Sequence, residues 1–249
     1  MLAQYRTCER AEGPGRRSVQ GEAKMNRTGF CNGVLLCLFI GLAWPALRGQ
    51  AWAGELRYQE RTFTEWKGDL ENPSPQVRVK AVRALQRFGP IAVAAVAGAL
   101  KDVSAEARLA AAWTLGEMGP VAKDAVPALG QALGDLNVQV RQTAAWALGM
   151  VGPAAKDAVP ELTRALKDSG NVVRANAAQA LGAIGPEAKT AAVALAELAL
   201  GGHSYVGGNA TNALRAIGPG AIAELRRQAE RDPQIQPFLE EALHIIRER

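Results

Sequence analysis

The stretch VRQTAAWALGMVGP, residues 140–153, contains the pattern that decides the fold. Its apolar positions recur at intervals of three and four residues and are Val140, Ala144, Leu148 and Val151. This spacing places them on one face of an α-helix. Gly152 and Pro153 predict the end of that helix, because glycine readily adopts a left-handed cap and proline cannot continue the helical hydrogen bonds.

The same pattern occurs five times along the chain. Its copies end in a Gly-Pro pair whose prolines are spaced by 30, 33, 33 and 33 residues and are Pro90, Pro120, Pro153, Pro186 and Pro219. One column contains only alanine: Ala81, Ala111, Ala144, Ala177 and Ala210. The column four residues later contains only leucine: Leu85, Leu115, Leu148, Leu181 and Leu214. A tandem repeat of this length indicates a stack of helical units, in which neighbours bury the faces that one unit cannot bury alone.

Each unit is predicted to contain two helices. The second helix, described above, begins at a residue type that caps helix N-termini, such as Ser104 or Asn137. The segment DAVPALGQAL, residues 124–133, predicts the first helix of the next unit, with a proline in its first turn. Asp124, and Asp157 in the following unit, are expected to cap these first helices.

The units resemble HEAT-like repeats of the short kind first described in phycobilin lyases. Such repeats carry a proline in the first helix, an aspartate in the inter-helix turn and an arginine six residues later. The matching residues here are Pro127, Pro160 and the pairs Asp102/Arg108, Asp135/Arg141 and Asp168/Arg174. The first unit departs from the pattern with Asn72 before Arg78, and the fifth has Gly201 and Gly207 at both positions. Ankyrin and tetratricopeptide repeats have similar periods, but their characteristic residues do not occur.

The resemblance implies an all-α fold: an α-solenoid in which helical hairpins form a right-handed superhelix, with the second helices on the concave side. It also implies that the aspartate and arginine columns form a structural ladder between adjacent repeats. The expected domains are an N-terminal segment (54–65), five HEAT-like repeats (66–219) and a degenerate C-terminal capping repeat (220–249).

Residues 1–53 are expected to be a leader and a signal peptide. From Met25, the expected start, the sequence has a basic residue, an apolar stretch (34–44) and a small-x-small site ending at Ala53. This order is typical of secretory signal peptides cleaved after such a site. It predicts a bacterial protein that is periplasmic or secreted and has no membrane contact after cleavage; an uncleaved anchor is the alternative.

Charge gives no indication of a nucleic-acid partner. Seven of the 29 basic and three of the 24 acidic residues lie in the first 53 positions, so the remaining chain is nearly neutral. Lys80, Arg83 and Arg87 form a local basic cluster, but the equivalent positions of later repeats are not basic. A nucleic-acid-binding face requires a continuous basic stripe, which this pattern does not predict.

No catalytic, cofactor or metal site is predicted. After residue 53 the chain has no cysteine, and its histidines are His203 and His244, which are too few and too separated for a metal or nucleophile site. We therefore expect a non-catalytic scaffold for protein–protein interaction. A bilin lyase-like enzyme or chromophore-binding protein is the alternative from another class, and a structural spacer is a third.

A column opposite the buried ones predicts where a partner binds. Seven residues before each Gly-Pro proline, on the side opposite the alanine and leucine columns, the chain has Arg83, Trp113, Trp146, Gln179 and Asn212. Exposed aromatic residues are common anchors of interfaces. A monomer is expected to bind a protein or peptide through the following residues: Arg83, Arg87, Trp113, Glu117, Trp146, Met150 and Gln179. The alternative is that each tryptophan only packs along the helix of its neighbour.

The fifth unit is irregular. Residues 201–214 read GGHSYVGGNATNAL, and their two glycine pairs weaken the start of a helix. A terminal capping unit is the preferred interpretation, and a mobile binding loop is the alternative.

Overall fold

The structure, a computed structural model, describes residues 56–201 and 204–247. The predicted leader, the signal peptide and His203 lie outside these residues. The described chain begins with a small antiparallel hairpin of β1 (Arg57–Tyr58) and β2 (Arg61–Thr62). Its two turn residues, Gln59 and Glu60, have positive φ angles of 51° and 63°. The sequence pattern did not predict this hairpin.

Twelve α-helices follow within the described residues. They are α1 (Phe63–Gly68), α2 (Pro75–Leu85), α3 (Val93–Gly98), α4 (Ala105–Met118), α5 (Val126–Ala132), α6 (Val138–Val151), α7 (Val159–Ala165), α8 (Asn171–Ile184), α9 (Ala192–Leu200), α10 (Ser204–Ile217), α11 (Pro219–Ala229) and α12 (Gln236–Arg247). The predicted second helices are α2, α4, α6, α8 and α10, and the first helices of units two to five are α3, α5, α7 and α9. The glycine pair at 207–208 lies inside α10 rather than in a loop.

Four of the five Gly-Pro pairs directly follow the end of a second helix, as predicted, whereas α2 ends at Leu85 and a 3-10 segment continues across Gly89. All five glycines have positive φ, between 57° in Gly119 and 77° in Gly185. Their ψ angles lie near −140°, outside the left-handed helical region that the sequence suggested and in a region that is accessible essentially to glycine alone. Each chain reversal therefore depends on the missing Cβ.

The predicted caps of the first helices are wrong. Asp124 and Asp157 are exposed, and α5 and α7 instead have Ala125 and Ala158 at their N-caps, without a side-chain hydrogen bond. The reason is a 3-10 turn that runs from each Gly-Pro pair directly into the first helix, as in Gly119–Ala125. Because this turn is itself a hydrogen-bonded helical segment, an aspartate cap is not needed.

The units pack side by side in chain order. Each of the second helices packs along the next one, whereas the first helices pack mainly on the second helix of their own hairpin and touch one another little. The second helices therefore form one continuous layer of the stack, and the first helices lie on its other side. The alanine and leucine columns are fully buried at these contacts.

Both ends of the described stack are covered. At the N-terminal end, Trp66 of α1 is 1% exposed, and its indole N–H donates a hydrogen bond to the carbonyl of Tyr58 at 3.0 Å. The guanidinium of Arg61 lies 4.1 Å from the centre of the Trp66 ring. At the other end, α12 packs against α9 and α10, and Arg215 donates a hydrogen bond to the carbonyl of Ile245 at 3.2 Å.

Candidate functional site

Ion pairs between consecutive units occupy the inter-helix turns. Arg78 binds both carboxylate oxygens of Asp102, at 2.6 and 2.8 Å. Arg108 binds Asp135 in the same way, at 2.6 and 2.9 Å, and Arg141 binds Asp168 at 2.8 and 3.0 Å. We refer to these three pairs as the ladder.

Every ladder residue also forms a hydrogen bond with a backbone group of its own turn. Arg108 also donates to the carbonyl of Asp102 at 2.9 Å, and Asp135 accepts a hydrogen bond from the backbone N–H of Asn137 at 2.8 Å. Equivalent bonds recur in the other units. An arginine therefore connects the turn of its own unit with the aspartate of the next, which is a structural role.

The ladder carboxyls have pKa values below their usual range. Hydrogen bonds from Arg78 and Arg108 lower the pKa values of Asp102 and Asp135, and these effects exceed the opposing effect of burial. In Asp168, burial raises the pKa, but the bonds from Arg141 and the Gly170 N–H outweigh it and leave the pKa lowered. The carboxylates are consequently held in their charged form.

The ladder ends before the fifth unit. Arg174 donates to the carbonyl of Asp168 at 2.8 Å and to the side chain of Asn171 at 2.5 Å. Gly201 occupies the position of the next aspartate, and Arg174 has no carboxylate partner among the residues that the structure describes. Of the predicted ladder residues, Arg174 alone is thus not in an ion pair there.

Trp113 of α4 and Trp146 of α6 lie together on the layer of second helices. Their ring centres are 4.7 Å apart and the ring planes differ by 19°, so the indoles are stacked. Trp146 is half-buried and covers Gly116 of α4, where an added Cβ would lie 2.2 Å from the Trp146 ring. Trp113 is 53% exposed. Packing on a neighbouring helix therefore describes Trp146, whereas Trp113 presents a ring to solvent.

A groove of about 950 Å³ opens beside Trp113, between the hairpin and helices α2, α4 and α6. Its apolar lining includes Val79, Leu109 and Trp113. Arg83, Arg87 and Tyr58 also line it, and the remaining polar lining includes Gln76, Glu106, Gln139 and Thr143. We call this the Trp113 groove.

The structure brings together part of the predicted partner site. Arg83, Arg87 and Trp113 line the Trp113 groove. Glu117, Met150 and Gln179 are exposed on α4, α6 and α8, and Trp146 lies beneath the Trp113 ring, but none of these four lines the groove. Tyr58 was missed, because its position depends on the hairpin, for which a two-residue strand pair gives almost no sequence signal.

The two arginines of the groove differ from those of the ladder. Within the described residues, neither Arg83 nor Arg87 forms an ion pair, although Arg87 lies 5.8 Å from the centre of the Tyr58 ring. Glu106 is the single acidic residue of the lining. The groove therefore combines an exposed indole with two uncompensated positive charges.

Other surfaces give weaker indications. A second cavity, of about 540 Å³, lies between α5 and α7, and the ion pair of Glu161 and Arg164 occupies its edge. Among residues 56–201 and 204–247, no three metal-ligating side chains gather, and no helix is both long and apolar enough to cross a membrane. His244 is exposed on α12.

Comparison with known proteins identifies the repeat type. The profile of HEAT repeats matches residues 69–135 and 126–215. No curated protein sequence matches the chain. Among solved structures, an engineered protein is similar with a TM-score of 0.55 and 21% identity, over 75% of this chain and 96% of that one.

Two further structures are informative in different ways. A designed armadillo repeat protein in complex with peptide (KR)4 has a TM-score of 0.53 and 18% identity, over 75% of this chain and 100% of that one. The complex of CpcE and CpcF of phycocyanin lyase from Nostoc sp. PCC7120 has a TM-score of 0.47 and 22% identity, over 61% and 96%. At such identities a likeness shows the fold alone, and the last one is too distant to support an argument.

Proposed function

The chain belongs to the HEAT repeat family, and on this premise we propose that it is a non-catalytic scaffold whose concave face binds a protein or peptide. The observation that supports this proposal most directly is the Trp113 groove. A large aromatic ring that is half exposed, next to unpaired arginines, has the composition of an interface anchor. The right-handed superhelix that the resemblance implies would present this face along its inner side.

The architecture is compatible with such a role. Helical repeats offer a long, rigid surface on which residues that vary between units can meet a partner without disturbing the core. The designed armadillo repeat protein, which has a similar fold, is in complex with a peptide. We propose that this chain likewise binds a peptide or protein. We also propose that it acts as a monomer.

We also propose that the protein is exported, because its first 53 residues have the sequence of a leader and signal peptide. An exported protein would be found in the periplasm or outside the cell, and its N-terminus would be Gly54. The intact mass of the protein recovered from its native host tests this; a mass that retains residues 1–53 would contradict cleavage.

A bilin lyase-like role is the second candidate that the repeat type suggests. No feature of the described residues favours it over partner binding, and repeat type alone does not define an activity. A stable visible absorbance band after incubation with a tetrapyrrole would support this candidate instead.

The docking role is tested by exchanging Trp113 for alanine. We expect Trp113→Ala to weaken capture of the native partner at least about tenfold, which is the usual range for an aromatic hot spot. Leu136→Ala is the matched control, because Leu136 is apolar and 99% exposed but lies in an inter-helix turn and does not line the groove. Circular dichroism and thermal unfolding should show both variants folded. Unchanged capture by a folded Trp113→Ala variant would contradict docking at this groove.

A further inference from the structure

We propose that the Trp113 groove recognises an extended acidic peptide segment, whose carboxylates pair with Arg83 and Arg87 while one of its apolar side chains packs on Trp113. This inference rests on the proposed function. That function states that a protein or peptide binds, and the inference adds the chemistry of this partner.

The positive charges that line the groove are the first reason to expect an acidic segment. Arg83 lies in the last turn of α2 and Arg87 four residues later, and both are exposed. Each of the ladder arginines has an aspartate at hydrogen-bonding distance, whereas these two have no acidic partner among the described residues. A guanidinium matches a carboxylate with two parallel N–H donors, as the ladder itself demonstrates.

The spacing of the charges adds to this argument. Like charges four residues apart on a helical segment repel each other, and Lys80 places a third cation on the same helix. Its ammonium group lies 5.8 Å from the centre of the Trp66 ring. A bound carboxylate would relieve the repulsion that the free protein contains, so charge complementarity selects an acidic occupant over a basic or neutral one.

The apolar lining of the groove can bind the apolar side chain of the segment. Trp113 lines the groove together with Val79 and Leu109, and 53% of its surface is exposed. The amide and hydroxyl groups of Gln139 and Thr143 can exchange hydrogen bonds with the backbone of an extended peptide. An apolar side chain would thus be buried while the peptide backbone remains satisfied.

Glu106 gives the groove a direction. It lies in the first turn of α4, whereas Arg83 and Arg87 lie at the end of α2 and just beyond it. Because repeats place the second helices side by side in the same direction, the negative and positive groups are at opposite ends of the groove. The carboxylates of the segment are therefore expected at the arginine end.

Three labelled peptides test the inference directly. Each alternates phenylalanine with one other residue, which is glutamate, glutamine or lysine, and binding to the full chain is measured by fluorescence anisotropy. We expect the glutamate peptide to bind at least about tenfold more tightly than the glutamine peptide. The reason is that hydrogen bonds to a charged carboxylate are stronger than those to a neutral amide by an amount that corresponds to about this ratio of affinities. The preference should shrink as salt concentration rises.

Variants of the chain test whether the preference for the glutamate peptide depends on the two arginines. Arg83→Gln combined with Arg87→Gln should reduce binding of the glutamate peptide to the level of the glutamine peptide. Arg226→Gln is the matched control, because Arg226 is an exposed arginine on α11, far along the chain from the groove. The control should bind all three peptides as the unmodified chain does.

The outcomes separate the inference from the function on which it rests. If all peptides bind equally well and Trp113→Ala weakens each of them, the groove binds peptides and the acidic preference is wrong. If no peptide binds, or if Trp113→Ala changes nothing, docking at the groove is itself contradicted and the inference fails with it. An acidic preference that survives loss of both arginines would overturn their assigned role.

Discussion

The link between the fourth and fifth units differs from the three links before it. Three consecutive links combine helix packing with a bidentate arginine–aspartate pair, whereas at the last link Arg174 faces a unit with Gly201 in place of the aspartate. Yet α8 and α10 pack together at least as extensively as the other second helices do. Helix packing therefore carries the stack, and the ladder only fixes the turns where it is present.

Small residues explain how packing continues without the ladder. A Cβ added to Gly182 would lie 3.0 Å from the Cα of Ala213, and one added to Gly149 would lie 3.3 Å from the Cα of Ala180. The backbones of consecutive second helices are thus almost in contact. Of these two approaches, the one at the last link is the closer. The ladder is absent at that link, and the ion pair that connects its two units, between Lys167 and Glu197 at 3.6 Å, is exposed.

The largest expected effect comes from filling that contact. Gly182→Val should lower the free energy of unfolding by about 3 kcal/mol, because the added atoms meet backbone that cannot move aside as a side chain would. Gly149→Val should have a smaller effect, because its contact is looser and the ladder pair of Arg141 and Asp168 also connects the same two units. Urea unfolding followed by circular dichroism measures both.

Gly98→Val is the control for these variants, since a Cβ at Gly98 meets no atom within 4 Å. Native-state hydrogen exchange should show that Gly182→Val loosens α10 to α12 first and leaves α4 and α6 protected. Equal loss of protection in all second helices would show that the last link is no weaker than the others.

A smaller effect is expected when one ladder pair is broken. Asp135→Asn leaves the guanidinium of Arg108 without its counter-charge in a position that is largely shielded from solvent, and it should destabilise the protein by about 2 kcal/mol. The matched control is Glu161→Gln, which breaks an exposed pair with Arg164 and should change stability by less than about 0.5 kcal/mol. Similar effects of both variants would show that the ladder contributes no more than a surface ion pair.

The smallest expected effect is a difference in acid sensitivity. Since the pKa values of Asp102 and Asp135 are lowered in the folded chain, the unfolded chain binds protons first. The ladder's stabilisation is present above the unfolded pKa of about 3.9 and is lost as pH falls through the lower folded pKa values. Between neutral pH and about pH 3, Asp135→Asn should therefore lose about 1 kcal/mol less than the unmodified chain does, as measured by urea unfolding. An identical pH dependence of the two proteins would exclude this contribution from Asp135.

Much of the fold was predictable because the same residues recur in every unit. Five leucines and five alanines in register indicated the second helices and their buried faces, and five Gly-Pro pairs indicated where those helices end. When five units need the same residue type at the same position, the repetition can be recognised within a single sequence. The 3-10 turns were not predictable in the same way, because residues such as Asp124 suit an N-cap equally well and only the path of the preceding backbone removes the need for one.

The candidate site was predictable only in part, since it depends on positions that differ between units. The tryptophan column was found from its contrast with the repeating columns, but the sequence alone did not separate the roles of its two members. Trp146 packs because Gly116 leaves room for its ring, whereas the residue at the end of α2 that is equivalent to Gly116, beside Trp113, is Gln86. Tyr58 comes from a hairpin outside the repeat, where periodicity gives no information.

The stacked indoles give the protein a built-in optical probe. Two ring systems stacked 4.7 Å apart couple their electronic transitions, which is expected to produce a paired signal of opposite signs in the far-ultraviolet circular dichroism spectrum, where the strongest indole transition lies. Because one indole belongs to α4 and the other to α6, the signal reports the relative position of two adjacent units. Any ligand or stress that shifts one unit against the next can thus be followed without attaching a dye.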